Sequence, residues 1–600
     1  MTPMFRKRDP QTSLLATSHF LPDDKRQRLE NDWPGQFRRS ALPLIDEHAF
    51  GDLYHASNGR PNKPVQTVIG VLILKEMYNH TDAEALFNLD FNLAWHVALE
   101  LEPEEAHLCQ KTLHNFRAKL MKNGRARLLF EGMTEKMIKA LGISTDRQRL
   151  DSTHITSNVA RLTRLGLFCE TVRVFLKELR KKAKKKFEAI PAGLRGRYIK
   201  DDGADSSYDD ARSSDGRRRI AVCARDVWRF VDRFKGDKAV AALASHGLVK
   251  RLLDEQCELV DGPSTPSKGD ADANEPAVPV APKAAKDVKS DSLQTPHDPS
   301  LTYSGRKGKG HEVQLAETCG NKDKPEMITH AVVTRSCDSD EKATVPALDD
   351  LARREIAPKE MLADTNYGST ENVIACEKRG TELVTPVAGP KVDEAETDKI
   401  TKADFDVDSK GERKARCPAG REAASEKRDP ETGKVRICFD GKACAGCPHA
   451  ESCPAKPLSD GRRVLRTTIH AAVLARRRRY ERMKEFKKRY AERAGIEATN
   501  SELKRAHGLG RPRIRGLLRV RLAVHLKALA CNVKRMVRHL AGEAWKAASA
   551  AAGTPAAATD AASCVILRLL RRREQAPAAL ATPCRPAEPE GRYFSRTAAA

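Results

Sequence analysis

An acid standing among cations at helical spacing is the sharpest chemical signal in this sequence. Tyr490, Arg493, Glu497 and Lys504 fall in a stretch, about 468–507, that reads as one long basic helix. At 100° per residue the four side chains sit at about 0°, 300°, 340° and 320°, on a face roughly 60° wide and about 21 Å long. Glu492 and Glu502 project away from that face. Glu497 could hold a divalent cation there while the aligned cations grip phosphates. An ordinary ion pair on a solvated basic helix is the alternative.

Two more acids stand where strands are expected to end. In Gln148-Arg-Leu-Asp151-Ser-Thr-His154, Asp151 follows a short strand-like run, with Asp146 as its local competitor. His154 would turn to the opposite face of the strand and read as structural. In Glu360-Met-Leu-Ala-Asp364-Thr-Asn-Tyr-Gly-Ser369, Asp364 closes an apolar strand, the position at which open α/β sheets carry their sites. Carboxylates fixed on strands have the rigidity that two-metal chemistry requires. A different donor set lies between 417 and 453: Cys417, Cys438, Cys444-Ala-Gly-Cys447-Pro-His449 and Cys453. Two thiolates at Cys-x-x-Cys spacing can bind one zinc ion at about 2.3 Å. Spacing does not choose four ligands among these; Cys417, Cys444, Cys447 and Cys453 are the preferred set for a structural Zn²⁺, with reduced thiols as the alternative.

The elements that must position these groups follow the hydrophobic period. Residues 1–45 are polar and Pro-punctuated, a loose arm. From 46 to 142 the pattern is helical: an apolar stripe from Val65 to Met77, a capping box at Thr81-Asp-Ala-Glu84 opening a helix through Trp95 to Leu99, a basic helix over 111–121, and a helix over 125–141 ended by Gly142. Such a bundle suits DNA recognition, and equally a plain bundle with a solvated basic face. A catalytic α/β domain is expected over 143–540. Helices and a Pro-, Ala- and Ser-rich disordered linker interrupt it at 161–300, and a Cys-rich insertion at about 400–466. Strands are expected at 311–318, 327–334, 360–364 and 382–387, with helices between and after them, and a final apolar helix at 517–540. Residues 541–600 are a low-complexity tail.

The chain has 600 residues, with 107 Lys and Arg against 82 Asp and Glu, a net charge of +25. That surplus favours a polyanion, most simply nucleic acid. No apolar run approaches the length of a membrane span and no apolar segment follows the basic N-terminus, so neither a bilayer nor secretion is expected. The expected location is the cytoplasm, with the cysteines reduced. No phosphate-binding G-x-x-x-x-G-K-[ST] loop and no H-E-x-x-H pair occurs, which leaves ATP use and zinc-peptidase chemistry without support.

Tyr490, two residues, Arg493, three residues, Glu497, six residues, Lys504 resembles the YREK signature of bacterial insertion-sequence transposases of the DDE type. Asp151-Ser-Thr resembles that family's first-acid motif, and Asp364-x-x-Tyr-Gly-Ser its second. Residues 58–64 and 112–117 also look like its N-terminal domain. The resemblance implies a ribonuclease-H-like catalytic domain whose Asp151, Asp364 and Glu497 bind two Mg²⁺ (or Mn²⁺) ions. It further implies Arg493, Lys504 and Tyr490 on DNA near the cut, double-stranded DNA as partner at element ends and target, and a homodimer on DNA. The implied activity is metal-dependent cleavage and strand transfer. A nuclease without strand transfer would carry the same triad, and a non-catalytic relative would keep the basic helices. A tyrosine recombinase is disfavoured by the acids at strand ends.

Overall fold

Val65–Met77 is buried along nearly its whole length, and the helices around it form the N-terminal part of the computed structural model. The structure describes residues 21–54, 62–156, 162–210, 213–264, 276–388, 400–409 and 411–551. Thr81 caps Asp82–Phe91 through the expected box, with Glu84 accepting in return from the Thr81 amide. This helix stops at Asn92, whose side chain caps a separate helix, Leu93–Leu99; one continuous helix had been expected. Gln110–Met121 buries Leu113, Phe116 and Leu120, and Arg125–Leu141 ends on Gly142 at φ 58°. The basic face of Gln110–Met121 is partly committed: Arg117 pairs with Asp82 at 2.6 Å and the Lys119 ammonium lies 3.6 Å from the centre of the Tyr54 ring. Lys111 and Lys122 stay exposed. The expected arm is ordered from residue 21 on, where Asp23–Asn31 is helical and Phe37, Leu42 and Ile45 are buried; residues 1–20 lie outside the described residues.

The central sheet begins with β1 (Arg147–Ile155). The helical insertion follows: Arg164–Lys182, Ser213–Arg233 and Ala244–Gln256 surround Phe168, Phe175 and Phe230. β2 (Cys257–Ser264) and β3 (Val278–Pro282) pair beside them. The expected disordered linker is contradicted over 276–299. There Leu293 is fully buried, its amide donates to Glu255 at 2.6 Å, and Arg251 donates to the Asp291 and Pro299 carbonyls. Side chains of one helix thus satisfy the backbone of a segment poor in apolar residues; residues 265–275 lie outside the described residues.

The chain returns with β4 (Thr302–Ser304), β5 (Gly308–Thr318), β6 (Ile328–Arg335), β7 (Glu360–Ala363) and β8 (Glu382–Val384). The strand order is β6–β5–β1–β7–β8, with β4 also on β5. β5 runs antiparallel to β1 and β6, whereas β7 and β8 run parallel to β1 and to each other. The parallel crossovers are the helices Thr344–Arg353 and Thr370–Lys378, and Leu150, Leu351, Met361 and Tyr367 share the core beside them. On the other side Leu362 and Val384 pack with Phe486. The succession of strands and helices is the one the sequence pattern predicts.

A second sheet forms from β9 (Ser425–Arg428), β10 (Lys434–Phe439), β11 (Lys456–Pro457) and β12 (Arg463–Thr468), in the antiparallel order β11–β12–β10–β9. Val435, Ile437 and Leu465 alternate into its core with Phe405 and Phe439. The single long helix expected after it is broken. Ile469–Arg482 stops at Met483, whose ψ of 145° leaves the helical region, and Lys484–Ala491, the tight turn Glu492–Ala494 and Gly495–Arg505 follow. Leu517–Ala551 is helical past the expected end at 540. Contacts divide the chain into two units, Met1–His539 and Leu540–Ala600; the central sheet, the β2–β3 pair and the small sheet all lie in the first.

Candidate active site

Strand register sets the first two acids side by side. Leu150 on β1 pairs with Ala363 on the parallel β7, so the next residues, Asp151 and Asp364, stand at the same level on strands about 4.8 Å apart. Asp151 does not end its own strand as expected; β1 continues against β5, with Asp151 opposite Leu315. What ends at Asp151 is the pairing with β7.

The Asp151 carboxyl is 16% exposed, with Arg493 Nη1 3.8 Å from its Oδ1 and Asn500 Nδ2 3.0 Å from its Oδ2. Burial pushes its pKa up to about 6; Asp364 and Asp340 push the same way, against the Ser152 amide and Arg493. Asp364 caps a short turn, accepting from the Asn366 amide at 2.8 Å, and its own carbonyl accepts from Thr385 Oγ1 at 2.8 Å. Arg477 donates to the Gly368 carbonyl at 2.8 Å and so ties this loop to Ile469–Arg482. Tyr367 of the same motif is buried, its hydroxyl donating to Gln314 at 2.6 Å.

Glu497 lies in the first turn of Gly495–Arg505 and is 64% exposed, with Arg493 Nη2 2.8 Å from its Oε1. One guanidinium therefore spans Glu497 and Asp151. The helix lies close to β1 because residue 495 is glycine: a Cβ there would come within 1.9 Å of Arg149 Nη1. Tyr490 stacks on Phe486 with ring centres 5.5 Å apart, and Arg493 sits 5.8 Å from the Tyr490 ring centre. Burial raises the Tyr490 phenol's pKa, so the hydroxyl keeps its proton. Burial lowers the pKa of Lys504, which feels Glu312, Lys307 and Asp151. Glu492 and Glu502 are engaged elsewhere, pairing with Arg147 at 2.9 Å and Arg535 at 3.0 Å.

The site thus gathers Asp151, Asp364, Tyr490, Arg493, Glu497 and Lys504 in one region, with Arg493 between Asp151 and Glu497. Among the described residues the metal-type side chains whose ligand atoms all fall within 4.8 Å of one another are Glu502, His507 and Cys531, a different group. Two site residues escaped the sequence reading. Asn500 lies one turn beyond Glu497, a signal available from helical spacing alone. Asp340, whose Oδ1 accepts from Gln314 at 3.0 Å, reaches the site only through the fold.

The four cysteines of the preferred set lie in one neighbourhood, although among the described residues their sulfurs do not gather within 4.8 Å of one another. Burial raises the Cys444 thiol's pKa, and the Cys417, Cys447 and Cys453 thiols add to that effect. Cys438 is buried within β10 and His449 is exposed. Among the described residues no helix is long and apolar enough to cross a membrane.

Residues 416–537 match the family described as Transposase DDE domain, and residues 26–119 match Transposase domain (DUF772). The first segment contains the Glu497 helix and the cysteine cluster; Asp151 and Asp364 lie outside both. No curated protein and no solved structure matches the chain.

Proposed function

Starting from a chain whose two matched segments make it an insertion-sequence transposase of the DDE type, we propose that it binds the ends of its element, cuts them and joins them to target DNA. The reading rests on one observation above all: Asp151 and Asp364 stand level on neighbouring parallel strands, and Arg493 links Asp151 to Glu497. A ribonuclease-H-like catalytic domain is consistent with the order of strands and crossovers.

The donor set suits a hard divalent cation. It is all carboxylate oxygen, and burial, with Asp364 and Asp340 adding to it, raises the Asp151 pKa and makes its charge one that a bound cation would compensate. Asp151, Asp364 and Glu497 would hold two Mg²⁺ or Mn²⁺ ions, which activate water, or a 3′ hydroxyl, and steady the leaving oxygen. The protein's own groups do the rest. Asn500 fixes the orientation of Asp151. Arg493, shared between two acids, is placed to turn toward a phosphate near the cut, and Lys504 offers a second cation beside it. Tyr490, backed by Phe486, presents a protonated hydroxyl and a ring face to the strand. The N-terminal helices contribute DNA contacts through Lys111 and Lys122, and pairing of two ends calls for a dimer on DNA. Cys417, Cys444, Cys447 and Cys453 would hold a structural Zn²⁺; metal analysis should find it lost in Cys444→Ser and kept in Cys438→Ser.

Cleavage of a labelled duplex carrying the element's ends tests the reading, with Mg²⁺, Mn²⁺ or EDTA. Metal-dependent cuts at the ends, absent in Asp364→Ala, support it, and joined products separate a transposase from a nuclease. Unchanged cutting by the variant overturns the site assignment.

A further inference from the structure

The solvent face of the small sheet carries like charges in register. Lys427 on β9 lies opposite Arg436 on β10, and Arg436 lies opposite Arg466 on β12. Side chains directly opposite are about 5 Å apart, and like charges so placed weaken the pairing. Lys434 extends the row two residues along β10 on the same face, while Val435 between them turns into the core. All four cations are exposed, and among the described residues none of them forms an ion pair. Lys402 closes one side, its ammonium donating to the Arg466 carbonyl at 3.1 Å. These residues line a groove of about 650 Å³. Its one acid, Asp429, is occupied within its own turn by Thr432 and the Glu431 amide.

We propose that this groove binds the phosphodiester backbone of duplex DNA, as a contact separate from the acid site. The row spans about 10 Å, two strand spacings, which matches a repeated anion better than a single phosphate. No aromatic side chain lines the groove, so it grips charge without stacking on bases. Its position fits the same task. β12 runs straight into Ile469–Arg482, with Thr468 capping that helix and the Ile469 amide donating to the Gly433 carbonyl at 2.9 Å. The sheet therefore anchors the start of the helical series that carries Glu497. The inference rests on the reading of this chain as one that acts on DNA.

The test is the salt dependence of duplex binding by the full chain in EDTA, where cutting plays no part. Each lost phosphate contact lowers the slope of log K against log salt by about 0.9. Lys427→Gln/Arg436→Gln/Arg466→Gln should therefore lower it by about 2 to 3, whereas the charge-keeping Lys427→Arg/Arg436→Lys/Arg466→Lys should hold it. Loss on element-end DNA alone assigns the groove to the transposon end, and loss on unrelated duplex alone assigns it to the target. An unchanged slope on both duplexes, or an equal fall in the charge-keeping variant, overturns the proposal. The outcome is independent of cleavage: a chain that never cuts but shows the slope change sinks the catalytic reading and leaves this one standing.

Discussion

Asn500 Nδ2 lies 3.0 Å from Asp151 Oδ2 and joins the helix of Glu497 to the central strand. A hydrogen bond to a charged group contributes about 1.5–3 kcal/mol. Asn500→Ala should therefore slow single-turnover end cleavage by roughly 10- to 100-fold, at about 1.4 kcal/mol per factor of ten, while DNA binding is unchanged. Wild-type cleavage rates in that variant would mean the contact plays no part in orienting Asp151.

Asp151 should make the metal-free protein less stable as pH rises. Its folded pKa, about 6, lies above the ordinary 3.8, so the folded state holds the proton more tightly than the unfolded chain does. Full stability from this group is present below 3.8 and is lost as pH climbs through about 6, a cost of roughly 2–3 kcal/mol. Asp151→Asn should thus melt at a higher temperature than wild type at pH 8 in EDTA, match it near pH 3, and be inactive. Mg²⁺ should raise the melting temperature of the wild type and leave the variant unmoved.

Other groups give the opposite slope on the acid side. Glu76 is buried, yet Lys527 and Lys75, at 2.5 and 2.8 Å, hold its pKa near 2 against that burial. Burial holds His525 at about 4, below its usual 6.5. Stability from His525 is lost as pH falls from 6.5 through 4, and that from Glu76 as pH falls from 4.5 through 2. A melting series from pH 7 downward should steepen below 4.5 in wild type. In Glu76→Gln it should start roughly 3–5 kcal/mol lower, the usual cost of breaking a buried pair, and lose much of the lower limb. A parallel pair of curves would show that Glu76 titrates as it does in water.

Gly495→Ala tests the approach of the Glu497 helix to β1. Arg149, which the added methyl would meet, is pinned by Glu317 at 2.7 Å and by the Glu492 carbonyl at 3.0 Å. Overpacking of this kind costs about 1–3 kcal/mol, and denaturant melts should show it along with slower cleavage. In an Arg149→Gln background the same substitution should cost clearly less, a coupling that a double-mutant cycle measures. Additive losses would show that the helix does not depend on this contact.

Local rules account for much of what the sequence foretold. The Thr81 box, the Gly142 stop and the acid after β7 each depend on neighbours within a turn or a strand, and each is where the pattern put it. The helix break at Met483 carries no glycine or proline and comes instead from packing: Phe486 is drawn between Tyr480 and Tyr490. The segment around Leu293 looked disordered because composition averages over many residues, whereas one buried leucine and a few donated hydrogen bonds suffice to hold it. Asp340 was invisible for a different reason. It enters the site from the end of β6 through Gln314, a relationship that exists only once β5 and β6 have paired.

The helical insertion departs after Ile155 and re-enters at Thr302, and these two residues pair with consecutive positions of one strand, His311 and Gly310. Its ends therefore lie on the two flanks of that strand, about two strand spacings, roughly 10 Å, apart, whatever lies between them. A detour with closed ends transmits no tension to the sheet, because its length is not a dimension of the sheet. The insertion is a cassette: evolution or an engineer can lengthen, shorten or exchange it while the strand that carries Asp151 keeps its register.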